Sequence, residues 1–180
     1  MNGPTTIRRS SLYCGVAAAL LALAISAGAV DVGAPAPNCA LTSLDRGQRY
    51  ELSEFEGKVL WVDFWASWCG PCAESFAFLD SVDREFRAQG LQMVGINVDE
   101  QPQDAMSFLE KHPVSFTQTA DASGRCPREF GVEGMPASYL VDRDGRIRHI
   151  YLGFRPGEAS ALRDRVKELL RETETSDAPP

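Results

Sequence analysis

The chain has 180 residues, of which 44% are hydrophobic and 24% are charged, and its formal net charge is −7 at pH 7. This length fits one globular domain, and the composition excludes an intrinsically disordered chain and a multi-span membrane protein. All 25 acidic residues follow residue 30, so the bulk of the chain is acidic and is not expected to bind nucleic acid.

The first 29 residues differ in composition from the rest. Arg8 and Arg9 precede an uncharged run of 19 residues at 12–30, which contains the small-x-small sequence Ala27-Gly28-Ala29. A basic start, an apolar run and a small-residue cleavage site are typical of a secretory signal. We therefore predict a signal segment at 1–29. An uncleaved membrane anchor is the alternative, since 19 residues nearly span a bilayer.

The next stretch predicts a linker, a hairpin and a central strand. Residues 30–37 are rich in Pro and Gly and are expected to form a linker before a single domain at 38–172. Two short segments at 39–44 and 49–52 flank an Asp-Arg-Gly turn and predict a β-hairpin. The almost continuous apolar run at 59–65 predicts a buried strand.

Alternating strands and helices are predicted in the middle of the chain. Apolar residues at helical spacing indicate a helix over 72–88, which is stopped by Gly90. A strand, a helix, a short strand and a short helix follow in that order, at 91–98, 103–111, 114–117 and 128–130.

The C-terminal part predicts a second antiparallel hairpin, at 137–141 and 147–152, and then an amphipathic helix at 158–172. Residues 173–180 are a polar tail. The whole pattern indicates the α/β class, with a central mixed β-sheet flanked by helices.

Two cysteines three residues apart carry the predicted chemistry. Cys69 and Cys72 lie where the buried strand turns into a helix, so the first sulfur meets the free amides of the helix N-terminus. That environment stabilises a thiolate. Cys69 is therefore the expected nucleophile, and Cys72 the cysteine that resolves the mixed disulfide. This redox-active Cys69–Cys72 pair needs no cofactor and no metal.

Two other interpretations of this pair are a static disulfide and half of a zinc site. A zinc site needs a second pair of Cys or His ligands at suitable spacing. The chain has two histidines, His112 and His149, and they are distant in sequence. We expect each of them to be a surface or packing residue, and we expect no metal.

The segment Val62-Asp63-Phe64-Trp65-Ala66-Ser67-Trp68-Cys69-Gly70-Pro71-Cys72 resembles the active site of thioredoxins. Three further patterns are more similar to the exported TlpA/ResA-like thioredoxins: the Gly-Ala-Pro-Ala-Pro run at 33–37, the stretch from Gln-Gly-Leu to Asn-Val-Asp at 89–99, and Gly-Val-Glu-Gly-Met-Pro at 131–136. The resemblance covers about residues 32–172. It implies a thioredoxin fold with an N-terminal β-hairpin and a central αβ insertion, and thiol:disulfide oxidoreductase activity.

The resemblance gives a role to Asp63, a carboxylate inside an apolar run. It implies that this group accepts and returns the proton of the second cysteine; a carboxylate satisfied by hydrogen bonds is the alternative. The chain departs from the family pattern at Ser75 and Ala77, where many relatives have Glu and Pro, so no role of that glutamate is carried over.

The resemblance also implies a substrate-contact surface. Pro136 matches the cis-proline that lies beside the cysteines in this family, and the backbone of Met135 is expected to pair with the substrate chain. Trp68, Gly70 and Pro71 complete the expected contact.

Two more cysteines, Cys39 and Cys126, remain once Cys14 is assigned to the signal segment. An exported chain permits a structural disulfide between them, which would close a long loop. Two free thiols are the alternative.

The predicted function is an exported oxidoreductase that reduces protein disulfides. By family analogy its substrates are of the cytochrome c maturation or metal-site assembly type, and a membrane donor supplies electrons. The protein is expected to be monomeric and periplasmic, and to lie at the inner membrane only if the signal segment is retained. The alternatives are a periplasmic oxidant or isomerase, and a copper-binding assembly module that uses the two thiolates.

Overall fold

The computed structural model describes residues 30–172. The predicted signal segment at 1–29 and the predicted tail at 173–180 lie outside the described residues. The strands are β1 (Ala40–Ser43), β2 (Arg49–Glu51), β3 (Val59–Trp65), β4 (Leu91–Asn97), β5 (Thr117–Ala120), β6 (Ala137–Val141) and β7 (Ile147–Leu152). The helices are α1 (Gly70–Phe86), α2 (Pro102–Lys111), α3 (Arg125–Glu129) and α4 (Ala159–Arg171), with short 3-10 turns at Leu52–Phe55, Arg87–Gln89 and Pro156–Glu158.

The seven strands of the described region form one mixed sheet in the order β2-β1-β5-β4-β3-β6-β7. The pairs β3–β4 and β4–β5 are parallel, and the remaining pairs are antiparallel. The central strand β3 is buried along its whole length, which explains its apolar sequence.

Alternate residues of β3 face two separate apolar cores. Val59, Trp61 and Trp65 pack with buried residues of α1, α2 and α4, on what we call the helix face. Val62 and Phe64 pack with residues of β1, β6 and α3, on what we call the hairpin face. The sheet therefore separates two chemical environments, because side chains of a strand alternate between its faces.

One predicted strand was placed wrongly. The apolar segment 114–117 was expected to be a strand, but β5 begins at Thr117 and runs through polar residues. Phe116 is buried on the helix face, with its ring 6.0 Å from that of Phe76. Its apolar character therefore serves the core rather than a strand ladder.

Two smaller differences concern the residues at which helices begin. The active-site helix begins at Gly70, two residues before the prediction, and α3 begins at Arg125 rather than at residue 128. The stretch predicted as a linker is held against the last hairpin, where Gly33 and Ala36 donate backbone hydrogen bonds to Ile147 and Gly145. Residues 33–36 therefore pack along the edge of the domain.

Among the described residues, no helix is both long enough and apolar enough to cross a membrane.

Candidate active site

The two cysteines of the CxxC motif are joined at the start of α1. Cys69 caps the helix, and its Sγ accepts a hydrogen bond from the backbone N–H of Cys72 at 3.2 Å. The structure pairs them as a disulfide with a Cα–Cα distance of 5.3 Å. Pro71 lies in the first helical turn, where its missing N–H leaves no helical bond unmade. The local sequence thus places the first sulfur at the N-terminus of α1, where backbone N–H groups have no partner within the helix.

The residues of the CxxC motif differ in their exposure to solvent. Cys72 is completely buried and Cys69 is 5% exposed, whereas Trp68 next to it is 71% exposed. Trp68, Gly70 and Pro71 are therefore the exposed residues around Cys69, and Cys72 is shielded from solvent.

The loop that leads to Cys69 is fixed by a carboxylate that the sequence prediction did not include. The backbone N–H of Ser67 donates to both oxygens of Asp99, at 3.2 and 3.0 Å, and its hydroxyl donates at 3.1 Å. Asn97 donates its side-chain amide to the same carboxylate at 2.8 Å. The available signal was the polar Asn-Val-Asp sequence at the end of β4, on the edge where β3 also ends.

A shallow cleft adjoins Cys69 between α1 and α2. Its lining comprises Ser67, Trp68, Cys69, Gly70, Ala73, Asp104, Ser107, Phe108, Lys111 and His112. The ring of His112 lies 4.5 Å from that of Phe108, and His149 stacks on Tyr151 at 6.1 Å. Both histidines therefore pack against aromatic rings.

The Met135–Pro136 segment precedes β6, and its peptide bond is cis. Met135 packs against the core cluster that contains both active-site cysteines. The Pro136 carbonyl accepts a hydrogen bond from Gly153 at 2.8 Å. The segment is thus tied to the end of β7, and Met135 packs against both cores.

Asp63 lies inside the helix face of β3. It is fully buried, and its Oδ1 accepts a hydrogen bond from the Ser138 hydroxyl at 2.5 Å. Burial raises the pKa of Asp63 from 3.8 to about 7, and the Ser138 hydrogen bond opposes that shift. Asp63 shares its face of the sheet with Trp61 and Trp65, in the core that also contains Cys72. A carboxyl that titrates near neutrality is suited to exchanging protons with a thiol.

Cys39 and Cys126 are paired on the other side of the sheet. Their Cα atoms lie 5.5 Å apart, both residues are buried, and both belong to the hairpin-face core. The backbone N–H of Cys126 donates to an Asp121 carboxylate oxygen at 2.6 Å. This disulfide ties the N-terminal hairpin to α3.

The described residues contain no group of three or more Cys, His, Asp or Glu side chains that could hold a metal ion.

A CxxC disulfide at the N-terminus of a helix, on a mixed sheet of this order, defines the class: the protein is a thioredoxin-fold thiol:disulfide oxidoreductase. Residues 31–166 match the Redoxin family model, and the chain belongs to this family, in its TlpA/ResA-like group. The predictions of fold, family and enzyme class are confirmed.

The comparisons identify specific relatives. The chain is 29% identical to thiol-disulfide oxidoreductase ResA of Bacillus subtilis (strain 168) over 124 residues, 69% of each chain. ResA of Bacillus thuringiensis subsp. konkukian (strain 97-27) is 28% identical over 118 residues, 66% of this chain and 68% of the relative. A crystal structure of a candidate thiol:disulfide interchange protein DsbE from Chlorobium tepidum is 40% identical with a TM-score of 0.75, covering 79% of this chain and 99% of that one.

Proposed function

We propose that this chain is an exported dithiol reductase of protein disulfides. The observation that carries the proposal is the placement of Cys69 at the N-terminus of α1, beside the exposed Trp68, with Cys72 buried one helical turn away. A Gly-Pro pair between the cysteines is the thioredoxin-type sequence, and thioredoxin is a reductant at about −270 mV, whereas the oxidant DsbA lies at about −120 mV.

The proposed cycle starts from the reduced pair. The Cys69 thiolate attacks one sulfur of a substrate disulfide; the S–S bond breaks and the departing substrate thiolate takes a proton. Asp63 then removes the proton from Cys72, whose thiolate attacks the Cys69 sulfur. The Cys69–Cys72 disulfide closes, the second substrate thiol leaves, and two electrons have passed to the substrate.

Substrate contact is proposed for five residues around the disulfide: Trp68, Gly70, Pro71, Met135 and Pro136. Trp68 offers an exposed apolar surface next to the nucleophile. Met135 packs against the core that contains both cysteines, and its backbone is proposed to pair with a chain bound at Cys69. The substrate would be held on two sides of the reacting sulfur.

The substrates and the electron donor are proposed by analogy with the family. We propose protein thiols of the cytochrome c maturation or metal-site assembly type as substrates, and a membrane dithiol donor that restores the reduced pair. The 1–29 segment supports export to the periplasm, with attachment to the inner membrane only if that segment is retained. The protein is proposed to act as a monomer.

We propose a purely structural role for the Cys39–Cys126 disulfide. Both cysteines are buried, and the backbone N–H of Cys126 donates to the carboxylate of Asp121, which places a negative charge beside the pair. A nearby negative charge disfavours a thiolate, so this pair is a poor nucleophile.

The decisive experiment is the reduction potential of the Cys69–Cys72 pair. The purified protein is equilibrated in defined thiol buffers, and free thiols are assigned by mass mapping, with Cys39→Ala/Cys126→Ala as a control that removes the second disulfide. A value near −270 mV supports a reductase, and a value near −120 mV makes the protein an oxidant or isomerase. The absence of any reversible couple favours a copper-binding module.

A further inference from the structure

A row of side chains crosses the helix face of the sheet beside the redox pair. Asp63 of β3 lies in register with Ser138 of β6 on one side and with Gly95 of β4 on the other. Ser138 is in register with Tyr151 of β7, and Gly95 with Gln118 of β5. Polar residues therefore flank Asp63 in both directions, with a glycine as the one gap in the row.

The gap at Gly95 is covered by the side chain of Gln118. A Cβ atom placed on Gly95 would meet Oε1 of Gln118 first, and would lie 2.8 Å from Nε2 and 2.9 Å from Cδ of the same side chain. The glutamine side chain therefore lies flat across β4. Neighbouring strands are about 4.8 Å apart, and β4 lies between β5 and β3. The amide over β4 therefore lies roughly halfway between the β5 backbone and the β3 backbone.

Unpartnered polar atoms lie at both ends of this short distance. The Oδ2 atom of Asp63 and the Oε1 and Nε2 atoms of Gln118 are buried, and none has a hydrogen-bond partner among residues 30–172. Leaving a buried polar group unpaired is unfavourable, so contact between the carboxyl oxygen and the amide is favoured. The other carboxyl oxygen of Asp63 is already held by Ser138.

We propose that Gln118 is a positioning residue for Asp63: its amide N–H donates, directly or through one water molecule, to the carboxyl oxygen that Ser138 leaves free. The inference rests on the proposed role of Asp63 as the proton acceptor for Cys72. Gln118 would hold the carboxyl in one orientation, since Ser138 fixes it from β6 and Gln118 from the β5 side. It would also favour the charged form of Asp63, because a donor stabilises a carboxylate.

The effect of Gln118 on the pKa of Asp63 can be measured, because no charged neighbour shifts that pKa. The pKa of Asp63 is shifted by burial and by the Ser138 hydrogen bond, and no charged side chain contributes. Cys69 and Cys72 of α1 and Tyr151 of β7 belong to the core on the same face of the sheet, and burial raises the pKa of Tyr151 to about 12, so it stays neutral near pH 7. A change at Gln118 would therefore act on Asp63 without a competing charge.

The test compares Gln118→Leu with Gln92→Leu in the full-length protein. Gln92 is a matched control, because it is a partly buried glutamine on the adjacent strand β4, in register with Leu60 of the hairpin-face core. Two quantities are measured against pH: the rate at which Cys72 resolves a mixed disulfide on Cys69, and the ¹³C shift of the Asp63 carboxyl, assigned with Asp63→Asn.

Loss of the Gln118 donor is expected to move both midpoints up by about one pH unit, since a hydrogen bond to a charged group is worth that much. Resolution then slows about tenfold at pH values below the midpoint and is unchanged well above it. Gln92→Leu is expected to leave both midpoints in place. Equal midpoints in the two leucine variants would overturn the proposal.

Gly95→Ala gives a second route that leaves Gln118 itself intact. The new Cβ would displace the flexible end of the glutamine, and Gly95 does not have a positive φ that would strain alanine. The midpoints are expected to rise as in Gln118→Leu, and Gly95→Ala is expected to add no further shift in the Gln118→Leu background. A further shift in that double variant contradicts the proposal.

The two levels of the proposal fail differently. If Asp63→Asn leaves the pH profile of resolution unchanged, Asp63 is not the proton acceptor and the proposed mechanism fails. The carboxyl titration still reports whether Gln118 contacts Asp63.

Discussion

The two disulfides of this protein lie on opposite faces of one sheet and are similar in geometry. Their Cα separations are 5.3 Å for Cys69–Cys72 and 5.5 Å for Cys39–Cys126, and all four residues are at most 5% exposed. Distance and burial therefore do not tell them apart. Their electrostatic surroundings do.

The helix-face disulfide lies at the start of a 17-residue helix, and the core behind it contains a carboxyl that titrates near neutrality. The hairpin-face disulfide adjoins the five-residue helix α3, whose first amides include one already bonded to Asp121. The first environment favours a thiolate and has a carboxyl that titrates near neutrality on the same face, whereas in the second the carboxylate of Asp121 lies beside Cys126. The same bond can thus serve catalysis on one face and stability on the other.

The largest expected difference between the faces is in turnover. Cys69→Ser should reduce disulfide reduction to the uncatalysed background, because it removes the nucleophile, while Cys72→Ser should accumulate a mixed disulfide through Cys69. Both are measured with a protein disulfide substrate and mass spectrometry. Cys39→Ala/Cys126→Ala is the control and should retain full turnover. Normal turnover in Cys72→Ser would refute the mechanism.

The loss of stability should be larger for the hairpin-face disulfide than for the helix-face disulfide, the reverse of the loss of turnover. Cys39→Ala/Cys126→Ala should lower the free energy of unfolding by about 4 kcal/mol, because the disulfide constrains a loop of 87 residues in the unfolded chain. Cys69→Ala/Cys72→Ala removes a disulfide between residues only three positions apart. It should therefore lower the free energy of unfolding by about 2 kcal/mol or less. Urea unfolding of the oxidised proteins measures both. Equal losses would remove the structural role from the hairpin-face pair.

Asp63→Asn should separate activity from stability on the helix face. The folded protein holds the Asp63 proton more tightly than the unfolded chain, so the stability this group contributes is present below pH 3.8 and is lost as pH rises through about 7. The asparagine variant should therefore be more stable than the parent at pH 8, by up to about 4 kcal/mol, and similar to it near pH 4.

Urea unfolding at the two pH values measures this, with the exposed Asp164→Asn as a control that should show no such dependence. The same Asp63→Asn protein should resolve mixed disulfides more slowly, by about 10²-fold, because proton transfer is lost. A variant that is less stable at pH 8 and equally fast would contradict both roles of the buried carboxyl.

The smallest expected effect concerns the surface of the helix-face site. Trp68→Ala should change stability by no more than about 0.5 kcal/mol, because the side chain is 71% exposed. It should slow the reduction of a folded protein disulfide several-fold and leave a small-molecule disulfide unaffected, since only a protein substrate covers Trp68. Met106→Ala, at another exposed apolar residue, is the comparison. Equal rates in the two variants would exclude Trp68 from substrate contact.

Much of this contrast could be predicted from the sequence. The CxxC motif after a buried strand predicted the cysteine pair and the helix that begins there, because Pro71 and the apolar spacing of α1 are local signals. The strand β3 was predicted with its observed bounds, 59–65. The short strand β5 was misplaced, because its polar sequence Thr-Gln-Thr-Ala is paired through backbone hydrogen bonds that local hydrophobicity does not reveal.

The residues that support the site were harder to foresee. Asp99 holds Ser67 across 32 positions, and Ser138 holds Asp63 across 75. The Asn-Val-Asp sequence at the end of β4 was a signal for Asp99 but did not show that it bonds to Ser67, and nothing in the sequence around Asp63 indicates Ser138. The register of β3, β4 and β5, which aligns Gln118 with Gly95 and Asp63, could not be foreseen for the same reason.

By itself, the sequence determined the class of chemistry and the order of the elements, because thiol spacing, helix starts and apolar periodicity act over a few residues. The tertiary structure alone decided which face each disulfide occupies, how far burial raises the pKa of Asp63, and which side chains meet that carboxyl. Those properties depend on strand register and on the exclusion of water from a packed core, which bring together residues far apart in the chain.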